Sequence, residues 1–187
     1  MTKKEVALIT GGGTGIGFAI AKKLHSMNKT VVLTGRRKEK LLKAKKILKK
    51  RCHIIEHDIS QLDSIPKLVI DIEKKIGPIN YLINNAGTHL RKIALETTDE
   101  EWKNVIDTNL NSVFSLSREC AKKMIRRKKG NIILVGSVTT IMGLPDVTAY
   151  ATSKTALSGL ARTLAIELGK YSINVNCICP GFIQTDI

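Results

Sequence analysis

The stretch Val6-Ala7-Leu8-Ile9-Thr10-Gly11-Gly12-Gly13-Thr14-Gly15-Ile16-Gly17 decides the fold. An apolar, strand-like run, Val6–Thr10, enters a glycine-rich turn, and a helix-like pattern begins at Ile16 and continues to Met27. Glycines here permit a tight turn, let a pyrophosphate approach the backbone, and let a helix pack closely on a strand. The helix start then offers free N–H groups and a positive dipole end to the anion. Strand, loop and helix in this order predict a dinucleotide site built from Thr10, Gly11, Gly13, Thr14, Gly15, Ile16 and Gly17.

Outward from this turn, apolar runs alternate with helical patterns to the end of the chain. Strands are expected at Val6–Thr10, Thr30–Thr34, His53–Glu56, Ile79–Ile83, Asn131–Gly136 and Asn174–Ile178. Helices are expected at Ile16–Met27, Lys38–Lys49, Ile65–Ile76, Asp99–Met124 and Thr148–Gly169. Thr98 and Glu101 have capping-box spacing at the head of the fourth helix, and Gly77-Pro78 and Gly130 read as helix-end punctuation. Short, nearly continuous apolar strands between helices indicate a parallel sheet covered on both faces. Right-handed crossovers make this a doubly wound α/β sheet, a Rossmann fold, with its ligand crevice beyond the strands' carboxyl ends. With no repeat, low-complexity tract or linker, residues 1–187 read as one domain carrying both the dinucleotide site and the catalytic residues.

The chain's 187 residues, 43% of them hydrophobic, are too apolar for a disordered chain, and no apolar run approaches a membrane span. No secretory signal precedes the first strand, and the four cysteines (Cys52, Cys120, Cys177, Cys179) do not form a disulfide framework, so a cytoplasmic protein is expected. Net charge is +15, with 13 Lys/Arg between Lys22 and Arg51 against the single acid Glu39, and a second basic cluster from Lys122 to Lys129. Only 4% of residues are aromatic and no docking motif appears, which argues against a nucleic-acid binder. Lys40, Lys43, Lys46 and Lys50 read instead as the wet face of a helix that turns Leu41, Leu42, Ala44, Ile47 and Leu48 inward. Cys177 and Cys179 would point to one face of a strand, but without further ligands nearby no metal site is expected. His25, His53, His57 and His89 show no ligand spacing and read as incidental.

Thr10-Gly-x-x-x-Gly-x-Gly17 resembles the signature of the short-chain dehydrogenase/reductase family. Further family motifs follow in order: Asn84-Asn85-Ala86-Gly87 after the fourth strand, Asn109 in the long helix, and Ser137 after the fifth strand. Tyr150 and Lys154 follow in Tyr-x-x-x-Lys, and Pro180-Gly181 closes the sixth strand. Tyr150 and Lys154, four residues apart, share a helix face, so an ammonium can stabilise a phenolate that otherwise forms only near pH ~10. The resemblance implies that Tyr150 exchanges a proton with the substrate oxygen and Ser137 hydrogen-bonds it. It gives Lys154 two tasks, lowering the Tyr150 pKa and binding the nicotinamide ribose, and has Asn109 hold a water that links Lys154 to solvent. It also implies that Asp58, with Ile59 after it, lies at the adenine, that Asn85, Ala86 and Gly87 form the platform near its ribose, and that Pro180, Gly181, Ile183 and Thr185 hold the nicotinamide.

An NAD-selective fold ends its second strand with an acid, whereas this one ends in Gly35-Arg36-Arg37-Lys38, where guanidiniums suit a 2′-phosphate. NADP(H) is therefore the expected cofactor, with Arg36 the main contact and Arg37 or Lys38 assisting. Segments 106–109, 135–138 and 180–186 are most similar to bacterial 3-oxoacyl-(acyl-carrier-protein) reductases of fatty acid synthesis. An acidic acyl carrier protein would then dock on Arg127, Lys128, Lys129 and Lys170, with Tyr171 departing from the basic pattern. Asn85–Lys92 is also similar to polyol and sugar-acid dehydrogenases such as gluconate 5-dehydrogenases, so the substrate class stays open. Family members usually continue past this point with a helical lid and a last strand. These are expected to be missing here, with a homotetramer or dimer expected where they are present. A third alternative is a shortened, inactive protein that binds cofactor and acts by interaction.

Overall fold

A computed structural model describes residues 5–184; Thr185, assigned above to the nicotinamide segment, lies outside the described residues. The strands are β1 (Val6–Thr10), β2 (Thr30–Gly35), β3 (Cys52–Glu56), β4 (Ile79–Asn84), β5 (Gly130–Val135) and β6 (Ile173–Ile178). They form one sheet in the order β3-β2-β1-β4-β5-β6, with every pairing parallel. Helices α1 (Gly15–Ser26), α2 (Lys38–Leu48), α3 (Ile65–Lys75), α4 (Asp99–Ile106), α5 (Ser112–Arg127) and α6 (Thr148–Gly169) make the crossovers. The chain order reverses between β1 and β4, which opens a crevice beyond their carboxyl ends. No helix among the described residues is long and apolar enough to cross a membrane.

Side chains alternate across a strand, so β1 feeds two separate cores. Val6 and Leu8 join Leu82, Leu116, Ile132, Leu134 and Leu157 on the face covered by α3, α5 and α6. Ala7 and Ile9 join Val31, Leu33, Leu41 and Ala44 on the face covered by α1 and α2. This two-sided burial is why the strands read as continuous apolar runs.

Three local expectations need correction. The helix expected over Asp99–Met124 is divided by a five-residue π-helical turn, Asp107–Asn111, into α4 and α5. The capping box at its head forms as read: the Glu101 N–H donates to Thr98 Oγ1 at 3.2 Å and the Thr98 N–H to Glu101 Oε2 at 2.9 Å. In α2, Leu41, Ala44 and Leu48 are buried, but Leu42 and Ile47 face solvent at 50% and 61% exposure. Spacings of three and four keep the first three on one stripe, while the other two fall beside it. Gly130 ends no helix. Lys128 at φ +50° is the left-handed cap of α5, and Gly130 opens β5 where a Cβ would sit 2.3 Å from Met124 Sδ.

Candidate active site

The turn after β1 is held by hydrogen bonds from the end of β4. Thr10 Oγ1 accepts the N–H groups of Asn85 at 3.0 Å and Ala86 at 2.9 Å, while Asn85 Nδ2 donates to the carbonyls of Thr10 at 3.0 Å and Gly11 at 3.3 Å. Gly11 sits at φ +62°, and a Cβ there would lie 2.9 Å from Asn85 Nδ2. Gly17 has a different task from its neighbours. It is buried in α1 and does not line the crevice, and its missing Cβ would lie 2.5 Å from both the Gly11 carbonyl and Asn85 Nδ2. These contacts make it a packing glycine.

The crevice has a volume of about 630 Å³. Thr10, Gly11, Gly13, Thr14, Gly15 and Ile16 form its wall at β1, and Asn85, Ala86 and Gly87 the wall at β4. Gly35, Arg36, Arg37, Asp58 and Ile59 close one end; Ser137, Tyr150, Lys154, Pro180, Gly181 and Ile183 close the other. A dinucleotide fits these residues on two counts. The α1 start faces the crevice with no side chain capping it and no acid in its first turn, so its amides are available to an anion. Next to it, the Arg37 guanidinium reaches Thr14 Oγ1 at 3.4 Å, placing positive charge at the same wall. Asp58 accepts the backbone and hydroxyl donors of Ser60 at 3.0 and 2.8 Å. Its burial favours the neutral acid, but the Ser60 hydrogen bonds and the Arg36 and His57 charges prevail and hold the carboxyl below its ordinary value.

At the other end, Lys154 is 5% exposed, donates to the Val135 carbonyl at 2.7 Å, and lies 5.8 Å from the Tyr150 ring centre. Burial pulls its pKa down to about 8, against the opposing influence of Cys177 and Cys179. Gly87 leaves room for side chains from the π turn and α6: a Cβ on it would meet Asn109 Oδ1 at 3.3 Å and Lys154 Nζ at 3.5 Å. Asn109 is wholly buried in the π turn. Its Oδ1 accepts the Thr88 N–H at 2.8 Å, and its Nδ2 donates to the Thr88 carbonyl at 2.9 Å and to Ser153 Oγ at 3.1 Å. Ser153 Oγ in turn donates to the Tyr150 carbonyl at 2.7 Å. The network ties the loop after β4 to the first turn of α6. Asn109 therefore supports the crevice from behind and does not line it. Ser137, in extended backbone and 8% exposed, accepts the Thr139 N–H at 3.2 Å.

Several residues that line the crevice carry no signal in the sequence motifs: Lys40, His57, Thr88, His89, Thr108, Leu144, Val147 and Phe182. His89, read as incidental, packs its ring 4.7 Å from that of Tyr150. His57 contacts Ser64 Oγ at 3.2 Å, and burial lowers its pKa. Only the adjacency of His89 to Asn85-Ala86-Gly87 could have pointed to it.

The expected docking residues are placed elsewhere. Arg127 donates to Glu73 Oε2 at 2.7 Å and to the Ile79 carbonyl at 2.8 Å, bracing α5 against α3 and the start of β4. Lys129 pairs with Glu5 at 2.7 Å, next to β1's first residue. Lys128 precedes β5, and Lys170 and Tyr171 precede β6. All lie towards the strands' amino ends, whereas the crevice is at the carboxyl ends, so within one chain they do not flank its mouth.

Comparison with known proteins gives a consistent answer. The family described as short chain dehydrogenase matches residues 5–187. Nodulation protein G of Rhizobium sp. (strain N33) is 37% identical over 179 residues, covering 96% of this chain and 73% of that protein. The 3-oxoacyl-(acyl-carrier-protein) reductase of Buchnera aphidicola subsp. Baizongia pistaciae is 36% identical over 185 residues, covering 98% and 76%. Among solved structures, a variant of the actinorhodin polyketide ketoreductase with NADPH superposes with a TM-score of 0.94 at 32% identity, covering 98% of this chain and 72% of that one. A protein described as a gluconate dehydrogenase from Agrobacterium tumefaciens gives 0.93 at 30% identity, covering 98% and 74%.

Proposed function

Because the chain belongs to the short-chain dehydrogenase family, and so is an oxidoreductase of nicotinamide type, we propose that it reduces a carbonyl with NADPH, its natural substrate a 3-oxoacyl group on an acyl carrier protein. The observation that carries this reading is the buried Lys154 ammonium, held by the Val135 carbonyl beside Tyr150 and next to Asn109. When bound, the reduced nicotinamide supplies the hydride. Tyr150 gives its phenolic proton to the substrate oxygen as charge develops there, and Ser137 Oγ–H donates to the same oxygen and orients the carbonyl. Lys154 stabilises the phenolate that remains and donates to ribose hydroxyls. Asn109 keeps the Thr88 loop in place and holds the water through which Lys154 is reprotonated. Thr10, Gly11, Gly13, Thr14, Gly15 and Ile16 receive the pyrophosphate, Asp58 and Ile59 the adenine, and Pro180, Gly181 and Ile183 the nicotinamide.

Relatives named as 3-oxoacyl-(acyl-carrier-protein) reductases support the substrate class, and Arg36 and Arg37 at the crevice support NADP(H) over NAD(H). A cytoplasmic homo-oligomer is the setting proposed for this activity. His89 against Tyr150 favours a second reading, oxidation of a polyol or sugar acid, because an imidazole at the reacting phenol can hydrogen-bond hydroxyls or pair with a carboxylate. Reduction of an acetoacetyl thioester, followed by NADPH absorbance, separates the two. Tyr150→Phe is expected to lower kcat by about 10²–10⁴-fold, the usual worth of a general acid, with NADPH affinity unchanged. Turnover that survives the substitution refutes the assigned acid.

A further inference from the structure

Cys177 and Cys179 bracket the last residue of β6, and their sulfurs are 3.9 Å apart, in van der Waals contact across one face of the chain. Gly136 makes room for both: a Cβ there would lie 3.0 Å from Cys177 Sγ and 3.1 Å from Cys179 Sγ. Cys179 is exposed and Cys177 half-buried, whereas Cys52 and Cys120 are buried in the two cores. From these positions we propose that Cys177 and Cys179 form a dithiol site that reacts with small hydroperoxides and closes to a disulfide.

The exposed Cys179 reacts first. Its sulfur attacks one peroxide oxygen, the O–O bond breaks, and the products are a Cys179 sulfenic acid and water, or an alcohol from an organic peroxide. The Cys177 sulfur then attacks the Cys179 sulfur and expels hydroxide, which leaves as water with the Cys177 proton. In sum, two thiols lose two hydrogens and one hydroperoxide is reduced. Burial, with Cys179 next in weight, pushes the Cys177 thiol up to about 11, which leaves the first attack to Cys179. The Lys154 charge acts on Cys177 in the opposite sense and favours its thiolate.

Closure has a mechanical consequence. Residues two apart on an extended strand have Cα atoms roughly 6.6–6.8 Å apart, the upper end of what a disulfide spans. The bond must therefore crimp the chain at Ile178–Cys179. This segment is tied to the site, since the Gly136 N–H donates to the Ile178 carbonyl at 2.8 Å and the Val138 N–H to the Pro180 carbonyl at 2.9 Å. Oxidation thus pulls on Pro180-Gly181 and on the turn carrying Ser137. A strained bond of this kind is readily reduced, so closure is reversible.

The test is titration of the cofactor-free chain with hydrogen peroxide, read by intact mass and peptide mapping. The expected result is loss of two hydrogens per chain, a Cys177–Cys179 link, and full reversal by dithiothreitol. Cys177→Ser stops at oxygen added to Cys179, Cys179→Ser removes the hydrogen loss, and Cys52→Ser keeps it. In the unsubstituted chain, added oxygen without hydrogen loss or a disulfide between chains overturns the proposal, as does the same hydrogen loss in Cys179→Ser. The effect on the site rests on the dinucleotide reading: oxidation is expected to weaken NADPH binding by about tenfold or more. Hydrogen loss with unchanged NADPH affinity overturns the coupling. A reduced chain that binds no NADPH counts against the functional reading alone, because the mass measurement does not depend on it.

Discussion

Tyr150 and Lys154 occupy successive turns of α6, but only Lys154 is fully enclosed, and that enclosure has a thermodynamic signature. Its folded pKa of about 8 lies below the ordinary lysine value of 10.5 because burial penalises the ammonium. Between those two values the unfolded chain holds more protons than the folded one, so this residue makes stability rise with pH across that window. Below pH 8 the buried charge costs up to about 3 kcal/mol, at ~1.4 kcal/mol for each pH unit separating the two values. Lys154→Met is therefore expected to be more stable than the parent at pH 7 by about 1–3 kcal/mol. It should also lack the parent's rise between pH 8 and 10 while losing activity. Urea unfolding at pH 7 and 9.5 checks this, and equal stabilities at pH 7 would contradict it. Tyr150, Lys154 and Ser137 were all legible as residues because their spacing falls within one helix or at one strand end. Ser153 was not, since its role depends on meeting Asn109 from 44 positions earlier in the chain.

At the scale of elements, the β1–α1 unit is set by glycines with separate duties. Gly11 turns the chain at positive φ, and Gly17 lets α1 lie against the Gly11 carbonyl and Asn85. Gly17→Ala is expected to force these apart, at a cost of about 1–3 kcal/mol, and to weaken NADPH binding through the displaced loop. Thermal unfolding together with a binding isotherm measures both effects, and an unchanged Tm would refute the close packing. The sequence did place Gly17 in this unit, but contact with backbone and contact with ligand call for the same residue type and cannot be told apart from spacing. The end of β2 carries cofactor choice. Arg36→Asp is expected to raise the Kd for NADPH by about 10–100-fold, the value of one or two charge-assisted bonds, and to leave NADH binding no weaker. Equal losses for both nucleotides would mean that Arg36 does not read the 2′-phosphate. In α2, Lys43 and Lys46 face solvent as read, but Lys40 is half-buried and lines the crevice; the apolar face was read too broadly, because Leu42 and Ile47 sit just beside the buried stripe.

For the molecule as a whole, the doubly wound parallel sheet and a crevice beyond its carboxyl ends followed from alternation and handedness, which are collective properties of the chain, while the strand order that sets the crevice at the β1–β4 reversal came from the structure. The positions of Arg127, Lys128 and Lys129 did not, because a basic run in sequence does not say which end of a sheet it occupies. Arg127 is taken up by Glu73 and Ile79. Electrostatic attraction of an acidic carrier would then come from the whole +15 charge rather than from one patch at the crevice mouth. The expected outcome is that kcat/KM for a carrier-linked 3-oxoacyl substrate falls by about 3–10-fold between 50 and 300 mM salt. For a short neutral thioester it should hardly change. Parallel salt titrations of the two substrates decide the matter, and identical slopes would remove the acidic partner.

The π turn at Asp107–Asn111 also limits how the chain can vary in length. It holds one residue more than a regular turn of helix, so losing one residue there would let α4 and α5 fuse into a single regular helix, which is easier to form, with the faces of both flanks kept. The loss would fall inside the turn, where the Asn109 amide would leave Thr88 and Ser153. A deletion anywhere else between Asp99 and Arg127 would instead swing the side chains beyond it by about 100° about the axis. The one shortening that the helix itself would favour is therefore the one that undoes the site it supports.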